Sequence, residues 1–110
     1  MSDNFNNPKV LSFTPLNAVA YTVVAGAAGW VDTDISASAG INTKRIHYFH
    51  AVAAVAVHDM GARPHGSAAL PVITGACYGA PMTKTDVNGH VDLLRDAANT
   101  TVYYHMGYFE

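Results

Sequence analysis

Charge is scarce in this 110-residue chain: charged residues make up 13% of it, against roughly 25% in ordinary soluble domains. The only glutamate is Glu110. So few ionised groups leave a surface that is either partly buried against copies of the chain or another protein, or covered by Ser, Thr, Asn and Gly. Cationic runs are absent beyond Lys44-Arg45, and the net charge is -2. A nucleic-acid interface needs a concentrated basic face, so that class is set aside. One cysteine, Cys77, excludes an internal disulfide and any Cys-rich zinc site. Within Ala76-Cys77-Tyr78 it reads as a buried thiol rather than a nucleophile. No apolar run approaches the ~20 residues of a membrane-spanning helix. The opening Met1-Ser2-Asp3-Asn4 has neither the basic start nor the apolar stretch of a signal peptide. A soluble product made in a cytoplasm is expected.

What is present is enough apolar matter for one core. Half of the residues are hydrophobic, and the length suits a single domain. Residues 1–17 stand apart. Asn4, Asn6, Asn7, Pro8 and Pro15 break the chain, and Phe5, Val10, Leu11, Phe13 and Leu16 keep neither a strand nor a helix period. This stretch reads as a partner-binding arm anchored by those five apolar residues, or as a frayed terminus.

Residues 18–110 carry β punctuation. Ala20 to Val24 is β-rich, and Trp30, Asp32 and Asp34 alternate with Val31, Thr33 and Ile35 as on the two faces of a strand. Ser36 to Gly40 reads as a loop. Ala51 to Val57 is apolar on both faces. Its valines, and its lack of Glu, Lys, Gln and Leu, favour a central strand over a helix. Gly61 to Ser67 reads as a turn-rich connection, and Leu70 to Ile73 and Ala76 to Tyr78 as short strands. Asp86-Val87-Asn88-Gly89 carries the Asn-Gly pair of a tight hairpin. His90 to Arg95 and Thr101 to Phe109 close the list of strands, with a turn at Asp96 to Asn99. The fold expected is an all-β antiparallel sandwich with jelly-roll-like connections. Its inner face should include Trp30 or Val31, Val55, Val57, Leu93, Val102 and Tyr104.

Three blocks carry a family likeness: Gly29-Trp30-Val31-Asp32-Thr33-Asp34-Ile35-Ser36, Gly61-Ala62-Arg63-Pro64-His65-Gly66-Ser67 and Val102-Tyr103-Tyr104-His105-Met106-Gly107-Tyr108-Phe109. In order and spacing they resemble the β-sandwich modules of phage and other virion structural proteins, with a Trp-x-Asp-x-Asp-like strand, a Gly-Ser turn and a terminal Gly-Tyr-Phe. Ala62 stands where that pattern often has Val, and such modules usually end a longer fibre or spike chain. The resemblance implies a virion structural role of decoration or accessory-coat type, with the major capsid protein or another virion protein as partner. It carries no catalytic residues.

The chemistry-bearing residues fit that picture. His47 and His50 point to opposite faces of a strand, and His58, His65, His90 and His105 fall on separate elements, so no metal set is legible among them. Asp32 and Asp34 share a face, with Asp59 as a third oxygen donor, but calcium takes about six to eight oxygens and no Asp-rich loop supplies them. Ser67 near His65 lacks a Gly-x-Ser-x-Gly elbow, and no phosphate loop precedes a helix. The expectation is therefore no enzyme, no cofactor and no metal. Trp30, Tyr103, Tyr104 and Tyr108 form either a subunit interface or a sugar-stacking platform of a glycan-binding adhesion module. Low charge, exposed strand edges and Ala-rich surface point to a homo-oligomer, a trimer.

Overall fold

The computed structural model describes residues 11–54, 58–75 and 77–110. Nine strands run through them in chain order. They are β1 (Phe13–Val23), β2 (Gly29–Asp34), β3 (Ile46–Ala53), β4 (Met60–Pro64), β5 (Val72–Ile73), β6 (Tyr78–Gly79), β7 (Met82–Thr83), β8 (His90–Arg95) and β9 (Thr101–Phe109). A single helical turn, α1 (Ser36–Ala39), follows β2. The protein is all-β, built as two packed antiparallel sheets. One is ordered β1-β9-β3-β6 with β7 also on β3, and the other β2-β8-β4-β5.

That order has a simple origin. Pairing β1 with β9, β2 with β8, β3 with β6 and β7, and β4 with β5 makes one long antiparallel ribbon. Rolling the ribbon lays β3 against β9 and β4 against β8, which is jelly-roll connectivity. β6 and β7 behave as one strand interrupted at Pro81. Proline has no N–H to give the ladder, yet its carbonyl still accepts from Phe49 N at 3.0 Å.

Alternation along the strands builds the core. His47, Phe49, Ala51 and Ala53 of β3, and Thr101, Tyr103 and His105 of β9, point inward and are buried. Met60, Ala62, Val91 and Leu93 meet them from the other sheet, with Ile35 just past the end of β2 and Val31 packed against the cluster. Tyr103 ties the layers together. Its hydroxyl donates to Leu94 O at 2.8 Å and accepts from Gly61 N at 3.2 Å. Burial pushes its phenol up to about 12.

Several expectations need correction. Val102 and Tyr104 face outward, because Thr101, Tyr103 and His105 take the core. Between Val31 and Trp30, it is Val31 that packs inward. β3 is covered on one side only, with Ile46, Tyr48, His50 and Val52 on its outer face; Val55 and Val57 lie outside the described residues. Gly61 to Pro64, expected as a connection, forms most of β4. Ser36 to Ala39 is a helical turn rather than an open loop. The Asn-Gly turn is in place, with Gly89 at φ 80°, and Asp86 Oδ1 accepts from Asn88 N at 2.9 Å and His90 N at 2.8 Å. It carries the chain from β7 in one sheet to β8 in the other, so it is not a hairpin between paired strands. Cys77 is half-buried rather than buried.

The N-terminal boundary also moves. Phe13 to Asn17, assigned to the arm, belongs to β1, whose Phe13, Thr14 and Pro15 pair with Phe109, Tyr108 and Gly107. Pro15 is tolerated because β1 is an edge strand. A bulge between Pro15 and Val19, with Ala18 at φ 51°, interrupts that edge. Leu11 is exposed just before β1, and Phe5 and Val10 lie outside the described residues.

Candidate functional site

The two outer faces of the sandwich differ in chemistry, and register sets both. In the β1-β9-β3 sheet, directly paired residues share a face. The outward set is Phe13, Ala20 and Thr22 on β1, Ile46, Tyr48, His50 and Val52 on β3, and Val102, Tyr104 and Phe109 on β9. Tyr78 and Met82 extend it across β6 and β7. Among the described residues, no Asp, Glu, Lys or Arg of these strands projects from this face. Its aromatics gather in two groups. Phe13 packs on Phe109 at 4.8 Å and near Tyr48 at 6.5 Å, while His50 stacks on Tyr78 at 6.0 Å and lies 6.4 Å from Tyr104. Tyr78 is 67% exposed, Met82 49% and Phe13 42%. Large apolar side chains standing this open side by side on one flat sheet mark a surface for association.

The opposite face holds the charge. Trp30, Asp32 and Asp34 of β2 lie across from Leu94, Asp92 and His90 of β8. Register thus sets Asp32 directly against Asp92, an unfavourable cross-strand pair unless cations intervene. Two histidines and an arginine supply them. His65 Nδ1 is 2.7 Å from Asp92 Oδ1 and 3.5 Å from Asp32 Oδ1, and His90 Nδ1 is 2.7 Å from Asp32 Oδ1. Arg63 Nε donates to Asp92 Oδ2 at 3.0 Å, while its guanidinium lies 4.3 Å over the Trp30 ring. The hydrogen bond to Asp92 raises the His65 pKa above its ordinary value, and the bond to Asp32 does the same for His90. Burial pushes the Asp92 carboxyl up, but hydrogen bonds from His65 and Arg63 outweigh it and leave the carboxyl low. Asp32, His65 and Asp92 bring one ligand atom each within 4.8 Å of one another, a spacing that a metal ion can bridge.

A third polar group lies between the sheets. Tyr21 Oη is 2.7 Å from Ser38 Oγ, which is 2.9 Å from His105 Nδ1; His105 Nε2 is 3.0 Å from His47 Nδ1. Desolvation lowers both imidazoles to about 4, and the nearby His105 charge adds to the effect on His47. Both rings are therefore neutral near pH 7, and they hold the core through hydrogen bonds rather than charge.

The structure does not assemble the four aromatics singled out from the sequence. Trp30 lies under Arg63 on the charged face, and Tyr103 is in the core. Tyr108 pairs with inward His47 and is covered by Arg45 at 4.2 Å, so Tyr104 alone stands on the uncharged face. Tyr48, His50 and Tyr78 were missed because their meeting depends on which strands pair with β3, and Phe109 because the register shift at Met106 moves the end of β9 to the other side. The meeting of His65 with His90 was missed because it needs the β2–β8–β4 register. Its one legible sign is the alternation Asp32-Asp34 against His90-Asp92.

No family model, no curated protein and no solved structure matches this chain.

Proposed function

We propose that the protein is a structural subunit of a virion, of capsid-decoration type, which seats its uncharged aromatic face on an apolar patch of a coat subunit. The contrast between its two outer faces carries this reading. One side presents Phe13, Tyr48, Tyr78, Met82, Tyr104 and Phe109 without a charged neighbour on their strands. The other presents the Asp32, Asp34, Arg63, His65, His90 and Asp92 network. A module lying flat on a shell needs such a division, with an apolar side to be buried and a charged side left in water. Jelly-roll strand order is shared by coat and lectin domains, and the three sequence blocks that resemble virion sandwich modules add to the coat reading. The copies assemble as a closed trimer, the arrangement suited to a symmetry point of a lattice.

The test is binding to shells assembled from the coat protein of the same genome. The intact protein should co-sediment with them, and Tyr48→Asp/Tyr104→Asp should not. Aromatic-dependent binding on a glycan array, without shell binding, would instead assign an adhesion module. Sedimentation equilibrium of the free protein checks the trimer, and a strict monomer at high concentration would remove it.

A further inference from the structure

We propose that Asp32, His65 and Asp92 form a binding site for a divalent transition-metal ion, zinc being the natural probe, on the charged outer face of the β2-β8-β4-β5 sheet, with His90 bracing Asp32 beside it. Three separate stretches supply the donors: Asp32 from β2, Asp92 from β8 and His65 from the turn leaving β4. β-Alternation places the two carboxylates on one face, and the register sets Asp32 opposite Asp92. That is a concentration of negative charge no single segment of the sequence displays.

The donor atoms converge. His65 Nδ1 and His90 Nδ1 both aim at Asp32 Oδ1, at 3.5 and 2.7 Å, and His65 Nδ1 reaches Asp92 Oδ1 at 2.7 Å. Zinc with imidazole and carboxylate arms of about 2.0–2.2 Å sets its donors roughly 3.4 Å apart. The longer contact already has that spacing. The shorter His65–Asp92 contact is a hydrogen bond that opens by less than an ångström when the ion replaces the shared proton. One imidazole nitrogen and two carboxylate oxygens, with water in the remaining position, suit zinc, cobalt or nickel; calcium would need about six to eight oxygens. Binding releases the protons shared within the cluster, and no redox step is involved.

The surrounding groups are placed as supports. Arg63 Nε at 3.0 Å and Gly66 N at 3.4 Å hold Asp92 Oδ2, which leaves Oδ1 turned to His65. Arg63 is itself fixed, with Nη1 donating to Ala69 O at 2.9 Å and its guanidinium over Trp30. Asp34 Oδ2 lies 3.7 Å from His90 Nε2, while its Oδ1 accepts from Ser36 N at 2.9 Å. His90 Nδ1 faces Asp32 Oδ1 at 2.7 Å and donates its proton there, so it holds that carboxylate in place rather than offering a lone pair to the ion. Asp32 and His65 are half-exposed, so an ion has a path in and water can complete its shell.

The experiment uses tag-free full-length protein stripped with chelator and titrated with zinc chloride by calorimetry, alongside cobalt absorption spectroscopy. One zinc per chain is expected, with a rise in Tm and a visible cobalt band of low-symmetry, nitrogen- and oxygen-ligated metal. Asp32→Asn and His65→Ala, both at half-exposed positions and checked by circular dichroism, should each weaken zinc binding at least tenfold. His50→Ala, on the other outer face, should leave it unchanged. Failure of the intact protein to take up zinc would overturn the site, as would zinc binding that survives both substitutions.

Discussion

His47 Nδ1 and His105 Nε2 lie 3.0 Å apart between the two sheets, although 58 positions separate them in the chain. Both rings are neutral in the folded protein, with pKa values lowered to about 4 from 6.5. In the unfolded chain each protonates near 6.5, so between pH 6.5 and 4 the unfolded state binds more protons than the folded one. The contribution of this pair is therefore full above pH 6.5 and falls as the pH drops toward 4, by up to about 1.4 kcal/mol per pH unit for each ring. Urea unfolding followed across this range should show that slope. His47→Gln/His105→Gln, if folded, should flatten it.

Tyr103 spans the sandwich from β9 to the carbonyl of Leu94 and the amide of Gly61. Phenylalanine keeps the ring but leaves both buried partners unsatisfied. Tyr103→Phe is expected to lower stability by about 1–3 kcal/mol, read as a fall in the urea midpoint at unchanged m-value.

At Gly107 the edge strand β1 passes so close that a Cβ would meet the Phe13 ring and the Thr14 carbonyl. Gly107→Ala forces β1 away from β9 and should cost about 1–3 kcal/mol by overpacking. Hydrogen exchange should show β1 amides losing protection ahead of those in β8.

Much of this fold was legible in the sequence because strand alternation and turn residues are local signals. Trp30 to Asp34, His90 to Arg95 and Thr101 to Phe109 form β2, β8 and β9. Face assignment was less legible. Tyr104 and Val102 outweigh Thr101 and His105 in hydrophobicity, yet the core takes the latter pair. Ser38 satisfies the His105 ring there, and the Thr101 hydroxyl bonds His58. The register shifts, after Pro15 on β1 and at Met106 beside Gly107 on β9, sit next to a proline and a glycine, but neither residue says which way the register moves. The His65–Asp32–His90–Asp92 cluster depends on pairing between strands distant in sequence, which periodicity alone does not encode.

Residues 2–10 lie outside the described residues and come before Phe13, where β1 begins. Their removal should leave Tm within a few degrees of the intact protein and weaken attachment to the shell, since Phe5 and Val10 offer about 1.5–3 kcal/mol each when docked, less the entropy of ordering. Differential scanning calorimetry and shell binding, measured on the same preparation, check both halves.

The most direct test of the uncharged face is co-sedimentation of purified protein with shells of the coat protein from its own genome. The intact protein should pellet with the shells at saturating stoichiometry. Tyr48→Asp/Tyr104→Asp, folded by circular dichroism, should stay in the supernatant, because each buried aromatic replaced by a charge weakens such an interface roughly tenfold or more. Asp34→Asn, on the opposite face, should pellet like the intact protein. Undiminished pelleting of the double tyrosine variant, or no pelleting of the intact protein, would contradict the account.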